Sequence, residues 1–362
     1  MIELFNYFVT LININLIFLI FGLTISYVLI IYNLNTRLIK KLAISHYRGA
    51  QRVHEGEVSR LGGFMIYLWF FIALINQINE QPEEIYKNYI MFLIIIFPIM
   101  FISFIEDTYS NVAVKYRFFV MIITMLILCS SWITSFPIIE HIPFLNYLFE
   151  YRLFSIIFYG VCLMALINGS NFIDGMNGLL GFFAIGVLAS CMYLSFYVGS
   201  LKDINILIFL LIPLIIFLIF NFPFGGIFMG DSGAYFIGLF LGVWIINFFG
   251  TYDNISSWNA VLILFYPIIE VIYSFIRKII QKKSPFYPDR FHLHLKIYEK
   301  LYQFFLIPKL ANSLTTLILS IFWLLPPLTL PFVMHSQALI FCIIFFFTFI
   351  YLFLNFCTRN IE

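Results

Sequence analysis

Residues 168–181 read NGSNFIDGMNGLLG and stand between two long apolar runs. Asn168, Asn171, Asp174 and Asn177 recur every three residues, with Gly169, Gly175, Gly178 and Gly181 between them. The flanking runs, near 153–168 and 178–199, approach the roughly 20 apolar residues that a helix needs to cross the hydrocarbon of a bilayer. The stretch therefore reads as a polar joint between two membrane-spanning helices. Spacing of three keeps side chains on a common, slowly drifting helical face, while glycines break a helix and admit close backbone approach. Polar side chains with exposed backbone amides suit a phosphate or a metal–diphosphate group.

Composition supports the membrane reading over the whole chain. Of 362 residues, 62% are hydrophobic and only 10% charged, against about 25% charged in soluble domains. That much apolar surface does not fit one aqueous core. The first apolar run follows MIELFNYFVT, which has no positive leader, so it is read as a span and not as a cleaved signal. The five cysteines are scattered through apolar runs, and no pair has metal-ligand spacing.

Spans are expected near 13–35, 60–76, 89–105, 118–134, 153–168, 178–199, 205–221, 234–249, 259–277, 309–330 and 335–356. The fold expected is all-α: one polytopic helical bundle over residues 1–362, with about eleven transmembrane helices. Alternating the loops places 17 of the 20 Lys and Arg on one side, leaving only Lys87, Arg152 and Lys202 on the other. The positive-inside rule makes the first side cytoplasmic, with the N-terminus outside and the C-terminus inside an inner membrane.

Further polar clusters fall on that same side. FIEDTYSNVAVKYRF carries adjacent Glu106 and Asp107, then Lys115 and Arg117. Paired carboxylates suit a divalent cation or a general base, because each raises the pKa of the other. FPFGGIFMGDSG sets Asp231 in a glycine-rich turn before an apolar run, where it either caps a helix or offers oxygen to Mg²⁺. KKSPFYPDRFHLHLK places Asp289, Arg290, His292 and His294 in the most basic loop. Arg and His suit phosphate contacts, and a basic loop also suits anionic headgroups. SRLGGF opens the second span with Arg60. Glu270, inside an apolar run, is either functional or paired with Arg277 seven residues on.

In this order, over residues 36–300, these clusters resemble the bacterial polyprenyl-phosphate N-acetylhexosamine-1-phosphate transferases. SRLGG resembles that family's Arg-Leu-Gly-Gly, and FIED its Asp-Asp pair, with Glu106 in place of the first Asp. NGSNFIDGMNGL is similar to Asn-x-x-Asn-x-x-Asp-Gly-x-Asp-Gly-Leu, with Asn177 in place of the last Asp. FMGDSG and RFHLH resemble its Gly-Asp and Arg-x-His-x-His segments, and Pro267 with Glu270 a Pro-x-x-Asp element.

The resemblance implies a cytoplasmic active-site cleft and a Mg²⁺-dependent enzyme. Such an enzyme moves a sugar 1-phosphate from a UDP-sugar to undecaprenyl phosphate, releasing UMP at the start of cell-surface polysaccharide synthesis. It implies metal ligation by Asn171 and Asp231, and catalysis by Asp107, with Glu106 beside it, and Asp174. Substrate contacts are implied for Arg60, Lys115, Arg117, Asn168, Asn177, Arg290, His292 and His294. No nucleic-acid partner is expected, and a homodimer is compatible with the family. The competing class is a secondary transporter or lipid flippase, which explains many spans but not polar clusters gathered on one face. A catalytically dead scaffold of the same fold is kept open by Glu106 and Asn177.

Overall fold

The computed structural model describes residues 14–33, 58–80, 83–110, 112–284 and 290–358. Residues 36–57 of the loop expected over 36–59, Asp289 and Arg359 lie outside the described residues. The main helices are α1 Ile14–Asn33, α2 Gly62–Glu80, α3 Glu84–Tyr109, α4 Val114–Ile127, α5 Arg152–Ile173 and α6 Leu179–Tyr197. They continue with α7 Leu201–Asn221, α8 Gly230–Thr251, α9 Phe265–Ile280, α10 Leu293–Phe305, α11 Pro308–Leu328 and α12 Gln337–Cys357. Short helices at Pro143–Phe149, Trp258–Ile263 and Leu330–Val333 fill the connections, and no β-strand forms among the described residues.

Each of the eleven expected runs falls on a helix. Among the described residues, nine helices are long and apolar enough to cross a membrane. The run expected over 259–277 is split at Leu264 into Trp258–Ile263 and α9. Pro267 explains the break: it has no N–H for the carbonyl of Ile263 four residues back, and its ring crowds that oxygen. The end of the run near 153–168 is also displaced, because α5 continues through Asn168 and Asn171 to Ile173. Those two residues belong to the last turns of a helix, not to a loop. Gly169 does not break that helix. It lets the helix touch α9, since a Cβ there would lie 2.6 Å from the carbonyl oxygen of Pro267.

Helix α8 is the axis of the bundle, with 89% of its apolar window buried and α5, α2 and α3 packed around it. Small residues set how close these neighbours come. A Cβ on Gly63 would stand 2.0 Å from the Cα of Gly233, so the backbones of α2 and α8 meet with nothing between them. Gly238 and Gly242 likewise accept Ile167 and Ser170, and Leu163 and Leu166, from α5. Within lipid, helix association relies on such packing, because water no longer drives apolar faces together.

Further along α8, Phe236 and Phe240 meet Tyr67 and Phe70 of α2 edge-on, with ring centroids 5.5 and 5.2 Å apart. The outer surface is apolar: Ile94, Phe97 and Phe101 on α3 and Phe345, Phe349 and Phe353 on α12 are exposed. A surface of that kind fits a hydrocarbon surround.

Gly63→Val drives a branched side chain into the backbone of α8. We expect it to cost about 3 kcal/mol, read as a lowered midpoint of unfolding in detergent. Phe349→Leu, on the outer surface, is expected to change stability by less than about 0.5 kcal/mol.

Candidate active site

The N-terminus of α8 organises one end of the bundle. The first N–H groups of any helix lack partners within it, and here they lie inside protein. Asp107, at the end of α3, supplies the acceptors. Its Oδ1 accepts from the backbone N–H of Asp231 at 2.9 Å, and its Oδ2 from the N–H and hydroxyl of Ser232 at 3.0 and 2.8 Å. The Asp107 side chain is wholly buried. Gly230 makes the approach possible: its φ is +75°, and a Cβ there would stand 2.7 Å from Asp107 Oδ2.

With its amide so held, Asp231 presents its carboxylate to two arginines. Arg60 Nη2 donates to Oδ1 at 2.8 Å, and Arg117 Nη1 to Oδ2 at 2.6 Å. Arg60 also lies 3.5 Å from Asp107 Oδ1, and Arg117 Nη2 lies 3.9 Å from Glu106 Oε1. Glu106 Oε2 accepts from Val112 N at 2.8 Å, fixing the turn after α3. Its side chain keeps 11% exposure, so of the adjacent acids Glu106 is the more accessible.

Asp174 caps the C-terminal end of α5. Its carboxyl is pushed well above the usual carboxylate range by burial, with Asp231 and Asp107 adding to that effect and Arg60 opposing it. Acidic groups of three separate elements thus feel one another around Arg60.

The histidine loop packs against the stretch that follows α5. The His292 ring lies against Phe172, tilted by 39° at 4.7 Å, and the His292 and His294 rings are parallel within 9° at 5.7 Å. A Cβ on Gly175 would strike His294 Nε2 at 2.1 Å, so this glycine accommodates the imidazole. Burial, and then the neighbouring His292, push His294 well below the usual imidazole range, which keeps it neutral. The two histidines share a side although helix α10 begins at Leu293, because His292 is still extended.

Lys115 is exposed, with its ammonium over the ring of Tyr116, and Arg290 is exposed. Asn168 turns back on its own helix, donating to Met164 O at 2.7 Å, and Asn171 is half-buried on the last turn of α5.

Asn177, expected to touch substrate, is buried in a joint. Its backbone N–H donates to Asn312 Oδ1 at 3.0 Å, its Nδ2 donates to Pro223 O at 3.1 Å, and its carbonyl accepts from Thr316 at 2.8 Å. Asn221 completes the joint, accepting from Gly178 N at 2.5 Å and donating to Ile227 O at 2.6 Å. Asn221 and Asn312 escaped the sequence reading. The signal was available, since both are amides at the ends of apolar runs. Gly178, with φ +82°, turns the chain into α6, and a Cβ on Gly181 would meet Leu218 at 2.6 Å. These glycines serve the turn and the packing between protein segments.

Residues 89–279 match the family model described as glycosyl transferase family 4. That range holds Glu106, Asp107, Asp174, Asp231 and Glu270, and excludes Arg60 and the histidine loop. A Bacillus subtilis protein named as a probable undecaprenyl-phosphate N-acetylglucosaminyl 1-phosphate transferase is 24% identical over 276 residues, 75% of this chain and 74% of its own length. A Thermotoga maritima undecaprenyl-phosphate alpha-N-acetylglucosaminyl 1-phosphate transferase is 30% identical over a shorter stretch, 38% of this chain and 41% of its own. A protein of the same name from Escherichia coli O157:H7 is 25% identical over 70% of this chain and 69% of its own length.

The joint around Asn177 depends on an amide, because a carboxylate has no N–H for Pro223 O. Asn177→Asp is expected to lower stability by about 1–3 kcal/mol, measured by denaturation in detergent.

Proposed function

The chain belongs to glycosyl transferase family 4, and on that premise we propose that it transfers an N-acetylhexosamine 1-phosphate from a UDP-sugar to undecaprenyl phosphate. A phosphate oxygen of the lipid attacks the sugar-bearing phosphorus of the donor. The bond from that phosphorus to the bridging oxygen breaks, UMP leaves with that oxygen, and a lipid-linked pyrophosphoryl sugar forms. The observation that carries the proposal is the Asp107–Asp231–Arg60–Arg117 cluster at the N-terminus of α8. Two anions must meet in this reaction, so catalysis is mostly positioning and charge neutralisation. The relatives named above for the same class of reaction support the reading.

Each element has a role in this scheme. Arg60 and Arg117, now on Asp231, exchange onto phosphate oxygens when the donor arrives. Glu106, the more accessible acid of its pair, takes the proton from the acceptor phosphate. Asp107, whose oxygens serve the start of α8, holds Asp231 in place. His292, His294 and Arg290 hold diphosphate or sugar from the opposite side, and Asp174 lies toward the nucleotide. Lys115 and Asn168 contribute at the rim.

Mg²⁺ fits this donor set. The convergent groups are oxygen donors, and burial with too little counter-charge holds Asp174 well above the usual range. Among the described residues no three acids or histidines form a ready-made metal cage. That suits an ion that takes one or two protein carboxylates and completes its shell with phosphate and water. Asp231 and the Asn171 amide would hold it, and when bound it would neutralise diphosphate charge.

We place this end of the bundle in the cytoplasm, where UDP-sugars are made and where positive loops belong. The product would then start a cell-surface polysaccharide.

The full chain in detergent with UDP-N-acetylglucosamine, undecaprenyl phosphate and Mg²⁺ is expected to release UMP. Asp231→Ala is expected to lower kcat at least about 100-fold while the protein still inserts and folds. Unchanged UMP release from that variant overturns the assignment.

A further inference from the structure

Glu270 stands apart from the carboxylate cluster and is almost completely buried, as is His292. Its two oxygens have separate duties. Oε2 lies 3.2 Å from His292 Nδ1, and Oε1 accepts from Leu293 N at 3.3 Å. The sequence left Glu270 between a functional role and a pair with Arg277. Arg277 instead donates to Ser274 Oγ at 3.3 Å and lies over the ring of Phe291 at 5.2 Å. Glu270 therefore faces the histidine loop.

An ionised carboxylate accepts hydrogen bonds and donates none. Facing Glu270, His292 carries a proton on Nδ1, which fixes the tautomer of the ring. The second oxygen serves the first N–H of α10, where a negative charge also meets the helix dipole. One side chain of α9 thus fixes a ring and the helix start that follows it. The ring it fixes lies against Phe172, and its stacked neighbour His294 lies against Gly175. Through these contacts Glu270 governs how the histidine loop meets residues 172–175, on either side of Asp174.

Given the transferase reading above, we propose that Glu270 is a positioning residue. It holds His292 in one tautomer and one orientation toward the reacting diphosphate, without itself touching substrate. Partners that orient an imidazole in this way are worth about 10–100-fold in metal sites, where they have been isolated, and an effect of that size is expected here.

The experiment is a double-mutant cycle on UMP release by the full chain in detergent, using wild type, Glu270→Gln, His292→Gln and the double variant. Glu270→Gln keeps the shape and an acceptor for Leu293 N but changes the partner of Nδ1. It is expected to lower kcat at least about tenfold, and to have little further effect once His292 is Gln. Glu270→Asp, which keeps a carboxylate, is expected to retain more kcat than the isosteric Gln. It also supplies the reading if the Gln variant does not fold.

Wild-type kcat in folded Glu270→Gln, with only a lowered melting temperature, overturns the proposal and leaves Glu270 a packing residue. Losses that multiply fully in the double variant also overturn it. If the wild-type chain releases no UMP, the transferase reading itself fails and the positioning role falls with it.

Discussion

The carboxylate of Asp107 on the first amides of α8 is the interaction from which the rest of the site follows. A helix that begins inside a bundle leaves N–H groups without water. A carboxylate from a neighbouring helix answers both the missing acceptors and the positive end of the helix dipole. Both Asp107 oxygens are used in this way. Geometry then propagates outward. Gly230 has to be glycine for the approach, and Gly63 and Gly233 have to be glycine for α2 to bring Arg60 alongside. Asp231 follows Gly230 and is thereby aimed at Arg60 and Arg117.

Charge balance within this arrangement bears on the proposed reaction. Glu106, Asp107 and Asp231 share two arginines, and burial, with Asp231 and Asp107 adding to it, holds the Asp174 carboxyl well above the usual carboxylate range. Such a site is short of positive charge, and its arginines are committed to a carboxylate that a phosphate can replace. The neutral His294 and the Glu270-held His292 pack against Gly175 and Phe172 at the turn after α5. In the proposed transfer a water-soluble donor enters at this end, while the apolar outer surface meets the lipid in which a polyprenyl acceptor moves.

Much of this was legible in the sequence, and what was not has physical causes. The apolar runs marked the long membrane-spanning helices, because length and hydropathy are local properties, whereas the amphipathic α10 fell in a stretch read as a basic loop. Ionisable groups at span ends are costly unless used, and the fold brings three of the polar clusters together through Arg60, Asp107, Arg117 and Asp231. Partner identity is not local. Asn177 carried the same three-residue spacing as Asn168, Asn171 and Asp174, yet it lies past the end of α5, where the helical face no longer exists, and it packs on Asn312 and Pro223. Lys115 and Arg117 are two apart at the start of one helix, so they point differently and only Arg117 reaches Asp231. Glu270 had two readings until the fold brought a residue 22 positions away onto its carboxylate.

The most direct measurement is hydrogen–deuterium exchange over the first turn of α8 in detergent or nanodiscs, comparing wild type with Asp107→Asn. Hydrogen bonds to a charged group are worth about 1.5–3 kcal/mol. The amides of Asp231 and Ser232 are therefore expected to exchange at least about tenfold faster in the variant, with the middle of α8 unchanged and UMP release lost. Equal exchange at these two amides, with UMP release retained, would contradict the claim that Asp107 holds the helix start on which the site is built.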